Sequence, residues 1–172
     1  MRENAPPSGE SGGHPPTRPR PRVSVIGAGE ATPAEIALAR ALGRALGAAG
    51  AIVVTGGHGG VMEAASRGCV EGGGLSVGLL PGTDPTQANP WVTLPLATGL
   101  GEARNALVVR AGEAVVAVGG SWGTLSEIAL ARKMGREVAL LGDPPCDLPL
   151  PRFSTGEEGA AWALERAREA RG

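Results

Sequence analysis

Residues 115–134 combine an apolar run, a glycine-rich turn and an amphipathic segment, and few folds accommodate that combination. Val115 to Val118 are small and apolar without a break, as in a strand buried on both faces. Leu125 and Ile128 are spaced to share one face of a following helix. Three glycines separate the strand from the helix: Gly119, Gly120 and Gly123. Because glycine lets a ligand approach the free N–H groups at a helix start, this stretch predicts an anion-binding site.

Strand-like and helix-like segments alternate along the rest of the chain. The other predicted strands are residues 23–26, 51–54, 75–80, 91–96 and 137–141. The other predicted helices are residues 33–49, a segment from about 61, residues 101–112 and residues 156–170. Continuous Val, Ile, Leu and Ala runs that alternate with helices indicate a parallel sheet covered on both faces. We therefore expect an α/β fold: a single Rossmann-like, doubly wound, mostly parallel sheet with helices on both faces.

The two proline-rich segments lie outside this pattern. Residues 1–21 contain six prolines and almost no apolar residue, which predicts a disordered tail. Residues 22–172 then form one Rossmann-like domain that binds a nucleotide or a phosphate, and residues 143–151 form a loop within it.

Composition argues against several classes of partner. With a net charge of −1 and scattered basic residues, the chain should lack the positive electrostatic potential that attracts nucleic acid. No apolar run is long enough to cross a bilayer, and the amino terminus lacks the apolar core of a signal peptide, so we expect a cytoplasmic protein. The two cysteines, Cys69 and Cys146, are too few for a disulfide framework, and Cys69 is interpreted as an inert packed thiol. No metal site is predicted.

Two familiar nucleotide-binding motifs do not fit. A dinucleotide fingerprint needs G-x-G-x-x-G after the first strand and an acidic residue closing the second strand. Here the first turn reads Gly27-Ala28-Gly29-Glu30-Ala31-Thr32, and the second strand ends in Thr55-Gly56. A P-loop needs a lysine directly after its glycines, whereas Lys133, the only lysine, lies about two turns into the helix.

A site for one phosphate or a similar anion remains. The predicted contacts are Gly27, Gly29, Gly56, Gly57, Gly59, Gly60, Gly119, Gly120, Ser121, Gly123 and Thr124. They fall at the carboxyl ends of predicted strands, where this fold class binds ligands. The alternative is that these glycines only allow strands and helices to pack closely.

Arg104 and Glu127 are the candidate catalytic residues, and each has a structural alternative. Arg104 suits a phosphate or a departing base because its planar fork donates several hydrogen bonds, but it could be a solvated charge at a helix start. Thr124-Leu125-Ser126-Glu127 fits a capping box with Thr124 as the cap, which would by itself explain Glu127. A carboxylate beside bound phosphate could instead act as a general base or stabilise a sugar cation.

Three other side chains have weaker functional interpretations. His58 could act as an acid or base, or only tolerate the geometry of a glycine turn. Trp91 and Trp122 could flank a flat ligand, or only pack.

Together, these motifs resemble those of the LONELY GUY-type superfamily, long labelled "possible lysine decarboxylase". The matching segments are residues 119–127, residues 55–63 and the Arg104-Asn105 pair. The branch that the chain resembles most comprises small bacterial proteins and molybdenum cofactor carrier proteins. The hydrolases of the superfamily carry Pro-Gly-Gly in place of Val118-Gly119-Gly120, and His-x-Arg-Lys in place of residues 102–105, and both differences favour the carrier-like branch.

The resemblance implies a homodimer that binds a small phosphate-bearing ligand. One hypothesis is a nucleoside 5′-monophosphate phosphoribohydrolase, which needs no cofactor and would use Arg104 and Glu127 to cleave the N-glycosidic bond. The second is a non-catalytic protein that carries the molybdenum cofactor as its ligand, and the third is a nucleotide sensor. The lysine decarboxylase label does not fit, because Lys133 is poorly placed to form a Schiff base with pyridoxal phosphate.

Overall fold

The structure is a computed structural model that describes residues 19–144 and 146–171. Within these residues, the fold is built on one sheet of seven parallel strands. The strands are β1 (Arg22–Gly27), β2 (Ile52–Thr55), β3 (Leu75–Leu80), β4 (Leu94–Ala97), β5 (Ala114–Val118), β6 (Glu137–Leu141) and β7 (Arg152–Phe153). Their spatial order is β4-β3-β2-β1-β5-β6-β7, and every neighbouring pair is parallel. The order reverses between β1 and β5, which is where an open α/β sheet leaves a crevice for a ligand.

Five helices cover the two faces of the sheet. They are α1 (Pro33–Ala48), α2 (Val61–Glu71), α3 (Asn105–Ala111), α4 (Trp122–Lys133) and α5 (Gly156–Glu169). One buried cluster joins α1, α2 and α5 to the sheet, around Leu42, Cys69 and Ala163. A second cluster joins α3 and α4 to the other face, around Val108 and Ile128. The predicted doubly wound α/β architecture is therefore confirmed, with an entirely parallel sheet.

Local chemistry explains where the helices on the first face begin and how they pack. Thr32 caps α1, its side chain accepts a hydrogen bond from the Glu35 backbone N–H, and Pro33 supplies a favourable first helical residue. The α1 and α2 backbones lie so close that a Cβ on Gly43 would be 2.1 Å from the Ala65 carbonyl oxygen. Small residues along α1 thus allow a helix contact too close for any side chain.

The predicted segments differ from the structure mainly at their ends. The fourth strand begins at Leu94 rather than residue 91, and residues 101–104 form a short 3-10 helix before α3. The proline-rich segment 143–151 is followed by β7, a two-residue strand that the sequence pattern did not predict. Most of the predicted tail, residues 1–18, lies outside the described residues, and the domain boundary stays a prediction.

Glu113 organises the amino edge of the sheet, opposite the crevice. Its buried carboxylate accepts hydrogen bonds from the Arg22 backbone N–H at 2.9 Å and from Nε of Arg171 at 2.7 Å. The Arg171 guanidinium also donates to the carbonyl groups of Pro19 and Arg20. The two ends of the described chain therefore meet at one carboxylate.

No helix among residues 19–144 and 146–171 is long and apolar enough to cross a membrane. The cytoplasmic location stays a prediction.

Candidate functional site

A cavity opens at the carboxyl edge of the sheet, where the strand order reverses between β1 and β5. Its lining comes from the turn after β1, the first turn of α2, the start of α3 and the first two turns of α4. The lining residues are Gly27, Ala28, Gly29, Met62, Arg104, Asn105, Ser121, Gly123, Thr124 and Glu127. Its volume of about 170 Å³ suits a phosphate-sized group rather than a whole nucleotide. Arg104 and Glu127, the two predicted catalytic residues, thus line one pocket.

The start of α4 forms one wall of this pocket, and its cap differs from the prediction. Ser121 is the N-cap, with extended backbone, and its N–H donates to Oγ1 of Thr124 at 3.3 Å. The predicted capping box, with Thr124 as cap and Glu127 as its partner, is therefore wrong, because the helix begins three residues earlier. The first helical bond runs from Leu125 N–H to the Ser121 carbonyl at 2.9 Å, which leaves the N–H groups of Trp122 and Gly123 without helical partners.

Glu127 therefore lies in the second turn of α4, with its side chain among the pocket-lining groups. The residue is only 8% exposed. Burial raises the pKa of its carboxyl group to about 7, although the positive charge of Arg104 opposes the rise. A carboxyl group with this pKa exchanges its proton near neutral pH.

Arg104 is buried beside Glu127 without being paired to it. It is 8% exposed, and its Nε has no hydrogen-bond partner within the described part of the chain. The salt bridges between described residues, all within 4.0 Å, do not include the Arg104 and Glu127 pair. Burial lowers the pKa of Arg104, and the charge of Glu127 partly offsets this. A buried cation without a partner is costly, so its presence here favours an anionic ligand.

Gly56 makes room for the Arg104 side chain. A Cβ at Gly56 would be 2.1 Å from Nη1 of Arg104 and 2.7 Å from Sδ of Met62. The turn after β2 therefore contributes to the site by admitting this guanidinium, although Gly56 does not line the pocket itself.

A larger groove of about 530 Å³ adjoins the pocket. Arg104, Asn105 and Gly123 line both, and the groove adds His58, Pro81, Glu102, Trp122 and Ser126. Trp122 is 85% exposed. Burial, and then the charge of Arg104, lower the pKa of His58, so its ring is neutral at pH 7.

The predicted glycines and polar contacts divide into two groups. Gly27, Gly29, Ser121, Gly123 and Thr124 line the pocket. Gly56, Gly57, Gly59, Gly60, Gly119 and Gly120 do not, and several are in tight packing positions. A Cβ at Gly60, for example, would be 2.3 Å from the Ala28 carbonyl oxygen. The alternative weighed from the sequence, close packing, thus accounts for part of the set.

Sequence reasoning missed Met62, Pro81 and Ser126 as lining residues. Met62 was identifiable in principle, because it occupies the first turn of a helix that follows a glycine turn. Trp91, considered beside Trp122 as a wall for a flat ligand, lines neither cavity and packs against the Arg67 guanidinium, 5.1 Å from the ring centroid. Cys69 is buried, and burial raises the pKa of its thiol to about 11.

The raised pKa of Glu127 predicts a specific pH dependence of stability. The folded state holds the proton up to about pH 7, whereas the unfolded state releases it near pH 4.5. Unfolding free energy should therefore fall as pH rises between these values, by up to about 3 kcal/mol from this group, and level off above them. Glu127→Gln should lack this fall in urea denaturation measured from pH 4 to 8.

Glu30→Gln, at an exposed carboxylate in the turn after β1, is the matched control and should keep the wild-type profile. Parallel pH profiles for the wild type and Glu127→Gln would contradict the assignment of this titration to Glu127.

The fold and the site define a class: a parallel α/β protein with a small pocket, lined by a buried arginine, where the strand order reverses. The chain belongs to the SLOG cluster4 family, whose family model matches residues 20–168. This match, together with the similarities below, confirms the superfamily and the carrier-like branch predicted from the motifs.

Three proteins show how far the similarity extends. An uncharacterised protein from Archaeoglobus fulgidus is 37% identical over 143 residues, which cover 83% of this chain and 94% of that protein. The molybdenum cofactor binding protein from the phototrophic bacterium Rippkaea orientalis is 34% identical, with a TM-score of 0.81 over 87% of this chain and 98% of that one. The molybdenum cofactor carrier protein from Chlamydomonas reinhardtii is 30% identical, with a TM-score of 0.78 over 87% of this chain and 99% of that one.

Proposed function

We propose that this protein binds a phosphate-bearing heterocycle of the pterin phosphate kind and holds it without cleaving it, as a carrier of the molybdenum cofactor would. The observation that carries the proposal is the buried, unpartnered Arg104 in a pocket beside the start of α4. A guanidinium in that position is stabilised when an anion supplies its missing partner.

The two cavities divide the ligand between them. The phosphate occupies the 170 Å³ pocket, where it accepts a hydrogen bond from the free N–H group of Gly123 and faces Arg104. The ring system occupies the 530 Å³ groove beside the indole of Trp122. A groove of this size lies within the range of small-molecule sites.

Similarity to two proteins named for the molybdenum cofactor supports the choice of ligand. The match spans nearly the full length of both proteins, at 34% and 30% identity. The cofactor is cargo in this proposal, so the residues of the chain bind and shield it but catalyse no step on it. Among residues 19–144 and 146–171, no group of three or more His, Cys, Asp or Glu side chains could ligate a metal ion. Binding would therefore act through the phosphate and the ring.

A second candidate function is nucleoside 5′-monophosphate phosphoribohydrolase, and one observation favours it. Glu127 shares the phosphate pocket with Arg104, and its pKa near 7 suits a general acid or base at neutral pH. In that case Glu127 would activate the water that attacks the ribose carbon as the base departs. The homodimer expected from the resemblance also stays a proposal, to be measured by light scattering.

A single experiment distinguishes carrying from cleavage. We would titrate the pure protein with 6-hydroxymethylpterin monophosphate, 5′-GMP and 5′-AMP by calorimetry, and analyse each mixture by chromatography after incubation. We expect the phosphopterin to bind and to be recovered intact. If the wild type released free base and Glu127→Gln did not, the protein would be the hydrolase instead. If none of the three ligands bound, both functions would be refuted.

Gly123 provides matched variants for the same titration. A Cβ at this position would have its nearest neighbour, Oγ of Ser121, 4.0 Å away, so an added Cβ meets no close contact. Gly123→Glu places a negative charge in the pocket and should abolish binding, whereas Gly123→Ala should fold equally well and bind more tightly than Gly123→Glu. Equal binding by the two variants would exclude this pocket as the phosphate site.

A further inference from the structure

The groove beside the phosphate pocket has one wall built for a flat ring. Trp122, the first residue of α4, leaves 85% of its surface exposed although it borders a cavity. Pro81 and His58 line the same groove and are compact or planar. Aromatic rings stack favourably on heterocycles, so an indole left in solvent at this position suits a planar ligand.

The polar side chains that line the groove include a single carboxylate. The Ser126 hydroxyl donates to the Gly123 carbonyl at 2.7 Å, whereas His58 and Asn105 each offer both a donor and an acceptor. Arg104 also faces the phosphate pocket, where its charge is needed. Glu102 therefore supplies the acidic group of the groove, and its carboxylate takes part in no hydrogen bond or salt bridge with the other described residues.

The hydrogen-bonding pattern of a carboxylate indicates which edge of a heterocyclic ring it can bind. Its two oxygens accept two hydrogen bonds side by side, so it matches a ring edge that presents two adjacent N–H donors. The 2-amino-4-oxopyrimidine ring has this edge, formed by its amino group and the neighbouring ring N–H, and guanine and pterin both contain it. Adenine presents an amino group next to a ring nitrogen that accepts, and hypoxanthine lacks the amino group.

We propose that Glu102 makes the groove selective for a 2-amino-4-oxopyrimidine ring, stacked on Trp122, in a ligand whose phosphate lies in the adjoining pocket. The inference rests on the proposed binding function and adds to it the ring edge that is read and the residue that reads it. Arg104, Asn105 and Gly123 line both cavities, so one ligand can occupy both. Selectivity of this kind arises because a competing ring leaves the carboxylate unpaired or facing an acceptor.

Calorimetric titration with four probes tests the proposal: 5′-GMP, 5′-IMP, 5′-AMP and 6-hydroxymethylpterin monophosphate. The wild-type protein should bind GMP and the phosphopterin about ten-fold more tightly than IMP and AMP, since a hydrogen bond to a charged group contributes on this scale. Glu102→Gln should remove most of that preference, partly by raising the affinity for AMP, because the amide can donate to the adenine ring nitrogen that the carboxylate faced. Comparing GMP with the phosphopterin shows whether the natural source of the ring is a nucleotide or a pterin.

Glu63→Gln is the matched control, because Glu63 lines a separate cavity between α1 and α2 and should leave the preference intact. Equal affinity for GMP, IMP and AMP in the wild type, or a preference that persists in Glu102→Gln, would overturn the role of Glu102 and leave the proposed function standing. Failure of all four probes to bind would overturn both.

Discussion

Replacing Arg104 by methionine is expected to weaken binding of the phosphate-bearing ligand by about 100-fold or more without unfolding the protein. The guanidinium is buried and lacks a partner at Nε, so the bound anion would provide its main compensation. Methionine keeps much of the apolar stem and removes the buried charge. Thermal stability without ligand should therefore be unchanged or raised, and calorimetry should register the loss of affinity.

Two further variants test whether the loss of affinity comes from the guanidinium of Arg104. Arg104→Lys keeps the charge but loses the planar fork, and its affinity should be intermediate. Arg110→Met removes an exposed arginine from α3, the helix that follows Arg104, and should bind as the wild type does. Wild-type affinity in Arg104→Met would show that the anion lies elsewhere.

Replacing Gly60 by alanine is expected to destabilise the fold by about 3 kcal/mol or more. Gly60 has φ of 64° and ψ of −130°, a conformation that is nearly restricted to glycine. A Cβ there would also be 2.3 Å from the Ala28 carbonyl oxygen, which now accepts a hydrogen bond from the Val61 N–H at 3.0 Å. The substitution thus separates the turn after β1 from the start of α2. Urea denaturation should measure the resulting decrease in the free energy of unfolding.

The neighbouring glycine is the matched control. At Gly59 a Cβ would be no closer than 3.7 Å to the Gly29 carbonyl oxygen, which is an ordinary contact. Gly59→Ala should change the unfolding free energy by less than about 1 kcal/mol. Similar losses in the two variants would mean that the turn as a whole, and not the conformation of Gly60, resists substitution.

The sequence predicted the architecture because buried parallel strands have a strong signature. The runs at Leu75–Leu80 and Glu137–Leu141 form strands with those same limits. By contrast β7, Arg152–Phe153, is only two residues long and follows prolines, so no periodicity could reveal it. Its partner β6 supplies the pairing, with Leu141 beside Phe153, and that information is not local.

The sequence predicted part of the site for a similar reason. Arg104 and Glu127 follow glycine turns or predicted strands at one sheet edge, and the fold brings them to one pocket. Which glycines face a ligand depends on the atoms opposite each one, and these come from distant segments: Gly56 faces Arg104, whereas Gly60 faces Ala28. The cap of α4 was misplaced because Ser121 and Thr124 both suit a capping position, and only the backbone distinguishes them.

The cluster around Glu113 has a practical consequence for any use of this protein on a surface or in a fusion. It gathers residues 19–22 and Arg171 at the amino edge of the sheet, whereas the pocket opens at the carboxyl edge. A strand of five residues separates the two edges by roughly 15–20 Å. A linker, dye or partner domain joined next to residue 19 or to Arg171 would thus start from the edge of the sheet opposite the pocket.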